Sequence, residues 1–212
     1  MAFSWLMSFL TSAYMLEVSM WVAQLFYFIC FVPQIFTNFR VKSGTGMSDL
    51  LLVFYFNAYF FLLYYIFGFN LPIAYKIMVP LQTLATVTLI VQRIYYAQAQ
   101  ESKRLLCLYL INAAVFAAVL PLAVHNPMSI AQPFGWCSFL ATFASQVPQV
   151  VKIHRQKSVA GFSFGFVAFL GLAAFIEFTT AVMAQLPSQT LCGALRGLLM
   201  AAIMSLQFIR YR

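Results

Sequence analysis

The sequence predicts an all-α membrane protein of seven transmembrane helices, built as two parallel three-helix repeats joined by a linker helix, a 3+1+3 plan. Three observations predict it. Of 212 residues, 64% are hydrophobic and 8% charged, whereas soluble domains are about half apolar and about a quarter charged. Apolar segments long enough to cross a bilayer, each needing roughly 20 residues, recur seven times with short connections. Residues 21–96 also slide onto 136–211 without a gap, with twenty identities.

A soluble fold is excluded because a domain of this length has too little interior to hide so much apolar surface. A closed barrel would need period-two alternation and more spans. Residues 1–14 read as an interfacial lead-in, since they carry no positive charge and no small-residue cleavage site. The spans then run over 15–37, 48–67, 72–94, 105–124, 130–153, 162–184 and 190–208. The first repeat takes residues 15–96, the linker with the fourth span 97–129, and the second repeat 130–212.

Net charge is +8, and its placement sets the topology. With the N-terminus outside and the C-terminus in the cytoplasm, ten of the twelve basic residues fall on the cytoplasmic side, leaving Lys76 and Arg196. The positive-inside rule selects that orientation. These charges contact anionic lipid, so no nucleic-acid partner is expected. Cys30, Cys107, Cys137 and Cys192 all fall in or beside spans with no Cys-x-x-Cys or Cys/His cluster. They read as small packing residues, so neither a disulfide framework nor a metal or cofactor site is expected. There is no Asn-x-Ser/Thr sequon, and the sequence stops at Arg212 without a sorting tail, so a bacterial cytoplasmic membrane is expected.

The repeat carries the functional content. The two copies share Trp21/Trp136, Pro33/Pro148, Gln34/Gln149, Arg40/Arg155, Lys42/Lys157, Ser43/Ser158, Gly46/Gly161, Ser48/Ser163 and Pro72/Pro187. Three spans per copy plus one linker span means that both copies enter the membrane from the same side. Parallel repeats related by an axis along the membrane normal occur in transporters, with binding sites near the midplane between the halves. Trp21, Leu25, Phe28 and Val32, with their copies Trp136, Leu140, Phe143 and Val147, mark one helix face. That face either packs the three-helix unit together or lines the path.

Pro33 and Pro148 lack an N–H and crowd the carbonyl four residues back, in a medium with no water to replace the lost bond. Gln34 and Gln149 place a side-chain amide beside that freed backbone. A matched weak point near the cytoplasmic end of each first helix suits a gate, so Pro33, Gln34, Pro148 and Gln149 are the candidate gating hinges. Past each hinge, Gly46 and Gly161 accommodate the turn, while Ser48 and Ser163 cap the next helix.

The stretches FVPQIFTNFRVKSGTGMS (31–48) and QVPQVVKIHRQKSVAGFS (146–163) resemble the two repeats of PQ-loop proteins. That group includes cystinosin, the lysosomal cationic amino-acid exporters and, more distantly, the SWEET and semiSWEET sugar carriers. The resemblance covers essentially the whole chain. It implies a small-solute transporter working by alternating access, with Pro33 and Pro148 as hinges. Proton-coupled members look to carry a membrane acid about two turns past the serine of the second loop. Leu170 stands there in this chain and Tyr55 at its first-repeat counterpart, so the resemblance supplies no coupling acid at that position.

Five polar residues within the spans are candidates for substrate or coupling-ion contact: Asn57, Gln82, Asn112, Glu177 and Arg196. Glu177 and Arg196 lie at equal sequence distance from the outer turn near Leu186, on the order of 10 Å deep at 1.5 Å per residue. Isolated charges at that depth are costly, so the two are expected to pair. Leu62 and Leu81 replace them in the first repeat. Glu177 is the candidate proton- or cation-binding group. Asn57, Gln82 and Asn112 either meet a solute or bridge helices. Lys76 and Glu17 are expected near the outer surface, His125 and His154 at span ends, and Asp49 at a helix N-terminus, where its charge is favourable.

No nucleophile and base constellation, phosphate loop or paired carboxylates at a water-accessible edge is present, so no enzyme activity is expected. The expected function is transport of a small polar metabolite, an amino acid of cationic or zwitterionic kind. Sugar transport, or a KDEL-receptor-like seven-helix receptor, is the alternative.

Overall fold

The computed structural model describes residues 13–125 and 127–211; the expected lead-in lies almost wholly outside this range. The described residues contain helices and no strands. They form α1 (Ala13–Ile29), α2 (Phe31–Val41), α3 (Asp49–Gly68), α4 (Ile73–Tyr95), α5 (Ala99–His125), α6 (Pro127–Gln156), α7 (Phe164–Met183) and α8 (Ser188–Tyr211). α1 and α2 are one span interrupted at Cys30. The cause lies three residues on, where Pro33 has no N–H for the Ile29 carbonyl. Its counterpart behaves differently, since α6 runs unbroken through Pro148.

Among the described residues, six spans are apolar enough to cross a bilayer by composition alone, with α1 and α2 counted as one. The seventh, α6, is a 30-residue helix that dilutes its apolar residues with Ser138, Ser145, Gln146 and Gln149. All four are buried against other helices, where polar side chains within a membrane are tolerated.

The turns repeat as faithfully as the helices. Lys42 and Lys157 adopt left-handed backbone after the first helix of each repeat, and Asn70 and Gln185 do so after the second. Leu71 N–H bonds the Ile66 carbonyl at 3.0 Å and Leu186 N–H bonds the Ala181 carbonyl at 3.0 Å. This is the same six-residue closure, followed each time by proline. The expectation that Gly46 serves the turn's backbone angles is corrected: only Gly161 has a positive φ (+76°). Gly46 is small for another reason, because a methyl group there would stand 1.9 Å from the Gly161 carbonyl oxygen.

In each repeat the third helix packs between the first and second, and in the first repeat those two still meet through side chains, as Phe31 does with Tyr55 and Tyr59. Across the repeats, α1 packs on α7 and α3 on α6, so each first helix leans on the other repeat's second helix. The linker α5 lies outside, against α3, α4 and α6. Both Pro-Gln corners meet at one end of the bundle, hereafter the PQ end, so the repeats point the same way.

The shared face of the first helices is divided: Trp21 and Phe28 pack against the apolar clusters, and no residue of the face lines the cavity between the repeats. Leu25, Trp136, Leu140, Phe143 and Val147 are exposed on the outer surface. Lipid tails accept apolar side chains as readily as a core does, so helical periodicity marks an apolar face without saying which way it points.

Candidate functional site

Between the repeats lies a cavity of about 110 Å³. A water needs about 10–15 Å³ on this measure, so it has room for several waters or one small solute. It sits between two apolar clusters. One, toward the PQ end, is built around Phe31, Leu51, Tyr55, Phe166 and Leu170. The other, at the far end, is built around Met20, Tyr65, Leu71 and Tyr75.

Glu177 projects from α7 into this cavity and is 9% exposed. Its carboxylate accepts from Tyr27 Oη at 2.8 Å, Tyr75 Oη at 2.9 Å and Gln24 Nε2 at 3.2 Å. Gln82 Nε2 in turn donates to the Gln24 side-chain oxygen at 3.0 Å and to its backbone carbonyl at 3.1 Å. All four supporting residues come from the first repeat, so the second repeat's carboxylate is held by the first repeat's donors. Hydrogen bonds to a carboxylate are among the stronger kinds.

Arg196 lines the same cavity but does not pair with Glu177. Among the described residues, the ion pairs within 4 Å all involve Arg93. Arg196 Nη1 donates to the Thr142 carbonyl at 3.3 Å, and its buried Nε has no partner. The expected pairing is corrected because Tyr27, Tyr75 and Gln24 already satisfy the carboxylate.

On the PQ side the cavity ends in a layer of four buried side chains, one from each of four helices: Phe31, Tyr55, Gln146 and Leu170. Phe31 and Gln146 are counterparts in the two repeats, as are Tyr55 and Leu170. Gln146 Nε2 donates to Tyr55 Oη at 3.2 Å, and the Phe31 ring meets Tyr55 and Phe166 edge-on at 6.2 and 5.8 Å. The layer closes the cavity toward the PQ end.

Beyond it the glutamines of the Pro-Gln pairs cross over. Gln34 Nε2 donates to the Gly161 carbonyl at 3.0 Å, and its Oε1 accepts from Ser163 N–H at 2.9 Å. Gln149 does the same in mirror: Nε2 to the Gly46 carbonyl at 3.2 Å, Oε1 from Ser48 N–H at 2.8 Å. The expectation that each glutamine serves its own helix is therefore corrected, since an extended backbone corner across the interface offers both a donor and an acceptor. Ser48 and Ser163 also depart from expectation: neither side chain caps its helix. Gln92 and Gln207, another matched pair, bond the carbonyls of Ile35 and Val150 at 3.2 and 2.8 Å, just past each proline.

Beside the corner the repeats diverge. Arg93, its side chain 6% exposed, ion-pairs with Asp49 at 2.7 Å and with Glu101, joining α3, α4 and α5. The second repeat has Phe164 and Phe208 at the positions of Asp49 and Arg93, and their rings meet edge-on at 5.4 Å. Lys152 donates to the Met47 and Gly46 carbonyls at 3.1 and 3.3 Å, and to that of Thr45, holding the first loop alone.

Of the five polar candidates, Gln82, Glu177 and Arg196 line the cavity, whereas Asn57 and Asn112 do not. Asn57 bonds the Val53 carbonyl and Asn112 the Leu108 carbonyl, each within its own helix. Sequence reasoning missed the cavity's most abundant side chain. Five tyrosines of the first repeat line it: Tyr27, Tyr55, Tyr59, Tyr65 and Tyr75. Their second-repeat counterparts are Thr142, Leu170, Ala174, Thr180 and Thr190. That one-sided substitution between otherwise matched copies was the signal available.

The three-dimensional comparison finds the 3.7 Å structure of a eukaryotic SWEET transporter, at a TM-score of 0.68 and 17% sequence identity, over 93% of this chain and 98% of that one. No curated protein sequence matches. The sequence model of the PQ loop repeat matches residues 15–75 and 130–190, more than half of the chain. Each match contains one of the interlocked Pro-Gln corners, and the chain belongs to the PQ loop repeat family.

Proposed function

We propose that this multi-pass membrane protein is a transporter of a small polar metabolite, with an amino acid as cargo, working by alternating access around the central cavity. The observation that carries the reading is the pair of opposite charges left apart. Glu177 and Arg196 line one cavity of about 110 Å³ without bonding each other. A zwitterion offers each a complement: its carboxylate meets the free Arg196 Nε, and its ammonium sits toward Glu177. Buried charges are retained in membranes where they serve a path or a partner.

In this reading the PQ end is cytoplasmic, the N-terminus is outside, and the conformation has its cytoplasmic gate shut by the Phe31–Leu170 layer and the crossed glutamines. Pro33 and Pro148 are the gating hinges, Glu177 is the proton-coupling group, and the host membrane is a bacterial cytoplasmic one. Sugar is the second cargo, favoured by the five cavity tyrosines, whose rings and hydroxyls suit a pyranose. A receptor for peptide termini would want several arginines at the cavity, and Arg196 stands there alone among the described residues.

Uptake of labelled amino acids and sugars into proteoliposomes tests the proposal. Accumulation of an amino acid is expected. Binding without flux would indicate a receptor, and flux of sugars alone would replace the cargo.

A further inference from the structure

The two halves of the cavity differ in size. Counterpart by counterpart, Tyr27 and Tyr75 of the first repeat line the cavity opposite Thr142 and Thr190 of the second, and the second repeat adds Gly135 and Gly193, whose counterparts Met20 and Met78 are buried outside the lining. The first repeat fills its half with large side chains, and the second leaves room.

Gly193 is the position where that room is unobstructed. On α8, Gln189, Thr190 and Arg196 also line the cavity. At 100° per residue, position 193 falls between 190 and 196 in angle, at the middle of the cavity-facing stripe. A methyl group at Gly193 would meet nothing within 4 Å. The same group at Gly135 would strike the Tyr65 ring at 2.6 Å, and at Gly197 the Ala174 side chain at 2.8 Å. Those glycines are small because helices or rings press on them, whereas Gly193 borders open space. One turn further along, the unpartnered Arg196 Nε awaits an acceptor.

We infer that Gly193 sets the size limit of the cargo. A solute anchored at Arg196 extends its variable group over Gly193 into the second-repeat side of the cavity, and a side chain there would exclude larger groups while admitting small ones. This inference rests on the transporter reading above.

The test is a graded series, Gly193→Ala, Gly193→Val and Gly193→Leu, assayed in proteoliposomes against amino acids from glycine to phenylalanine and against glucose. Melting temperature is recorded for each variant. Uptake of the larger cargoes should fall progressively, by about 10-fold or more per step of misfit, while the smallest cargo keeps its rate. Gly193→Ala should fold as the parent does, so the series remains informative if Gly193→Leu does not. Equal loss for all cargoes, or no loss, overturns the size limit and leaves the transporter reading intact. No uptake of any solute by the unmodified protein overturns both.

Discussion

Gln34 and Gln149 each hold the corner of the repeat to which they do not belong. Gln34 spans 127 positions to reach the Gly161 carbonyl, and Gln149 spans 103 to reach that of Gly46. This conformation is therefore latched at the PQ end by four bonds related by the repeat. Each is worth about 1 kcal/mol, or about 0.6 kcal/mol by measurements within membranes.

Removing the latch should open that end. In a background with the four cysteines replaced by alanine, Leu170→Cys marks the constriction. Labelling by a membrane-impermeant thiol reagent from the PQ side is expected to be faster once Gln34→Ala and Gln149→Ala are introduced. Gln34→Glu should have the same effect, because it keeps the acceptor for Ser163 N–H and loses the donor to Gly161.

Gly46 and Gly161 set how closely the corners approach. Gly46→Ala places a methyl 1.9 Å from a carbonyl oxygen, so it should cost about 1–3 kcal/mol, as overpacking does. A lowered melting temperature in detergent would show it. Gly193→Ala, which meets nothing, should leave that temperature unchanged.

Glu177 is satisfied by three neutral donors. Glu177→Gln should fold, since an amide still accepts from Tyr27 or Tyr75, but should abolish uptake driven by a proton gradient. Uptake that stays normal with an unchanged pH profile would remove Glu177 from any coupling role.

Arg93 is buried while its partners Asp49 and Glu101 are 43% and 44% exposed. Asp49→Asn or Glu101→Gln alone leaves the guanidinium one carboxylate, and each should cost about 1 kcal/mol or less. The double substitution strands a buried charge and should cost about 3 kcal/mol or more. Denaturation of single and double variants would reveal the excess as a coupling energy.

Much of this arrangement is legible in the amino-acid sequence. Pro33/Pro148 and Gly46/Gly161 locate the corners, and seven apolar runs, one of them unmatched, set the 3+1+3 order. Sequence does not say which way an apolar helix face points, because lipid and core reward the same residues; Leu140 and Phe143 are exposed for that reason. It also pairs Glu177 with Arg196 on depth alone, since depth carries no information about competing donors such as Tyr27. The crossed glutamines are hidden for a related reason. Spacing along one helix shows its neighbours in that helix, and Gly161 is a neighbour only after the repeats dock.

The central claim is that the first helices bend at their prolines to open the PQ end around a solute held between the repeats. Counterflow of cargo in proteoliposomes, comparing the parent with Pro33→Ala/Pro148→Ala, tests it most directly. Turnover should fall by about tenfold or more, equivalent to about 1.4 kcal/mol on the barrier, with cargo binding retained. The Pro33→Ala variant alone should account for most of the loss, since α1 and α2 are interrupted at Cys30 and α6 is not. Unchanged turnover in the double variant would contradict the account.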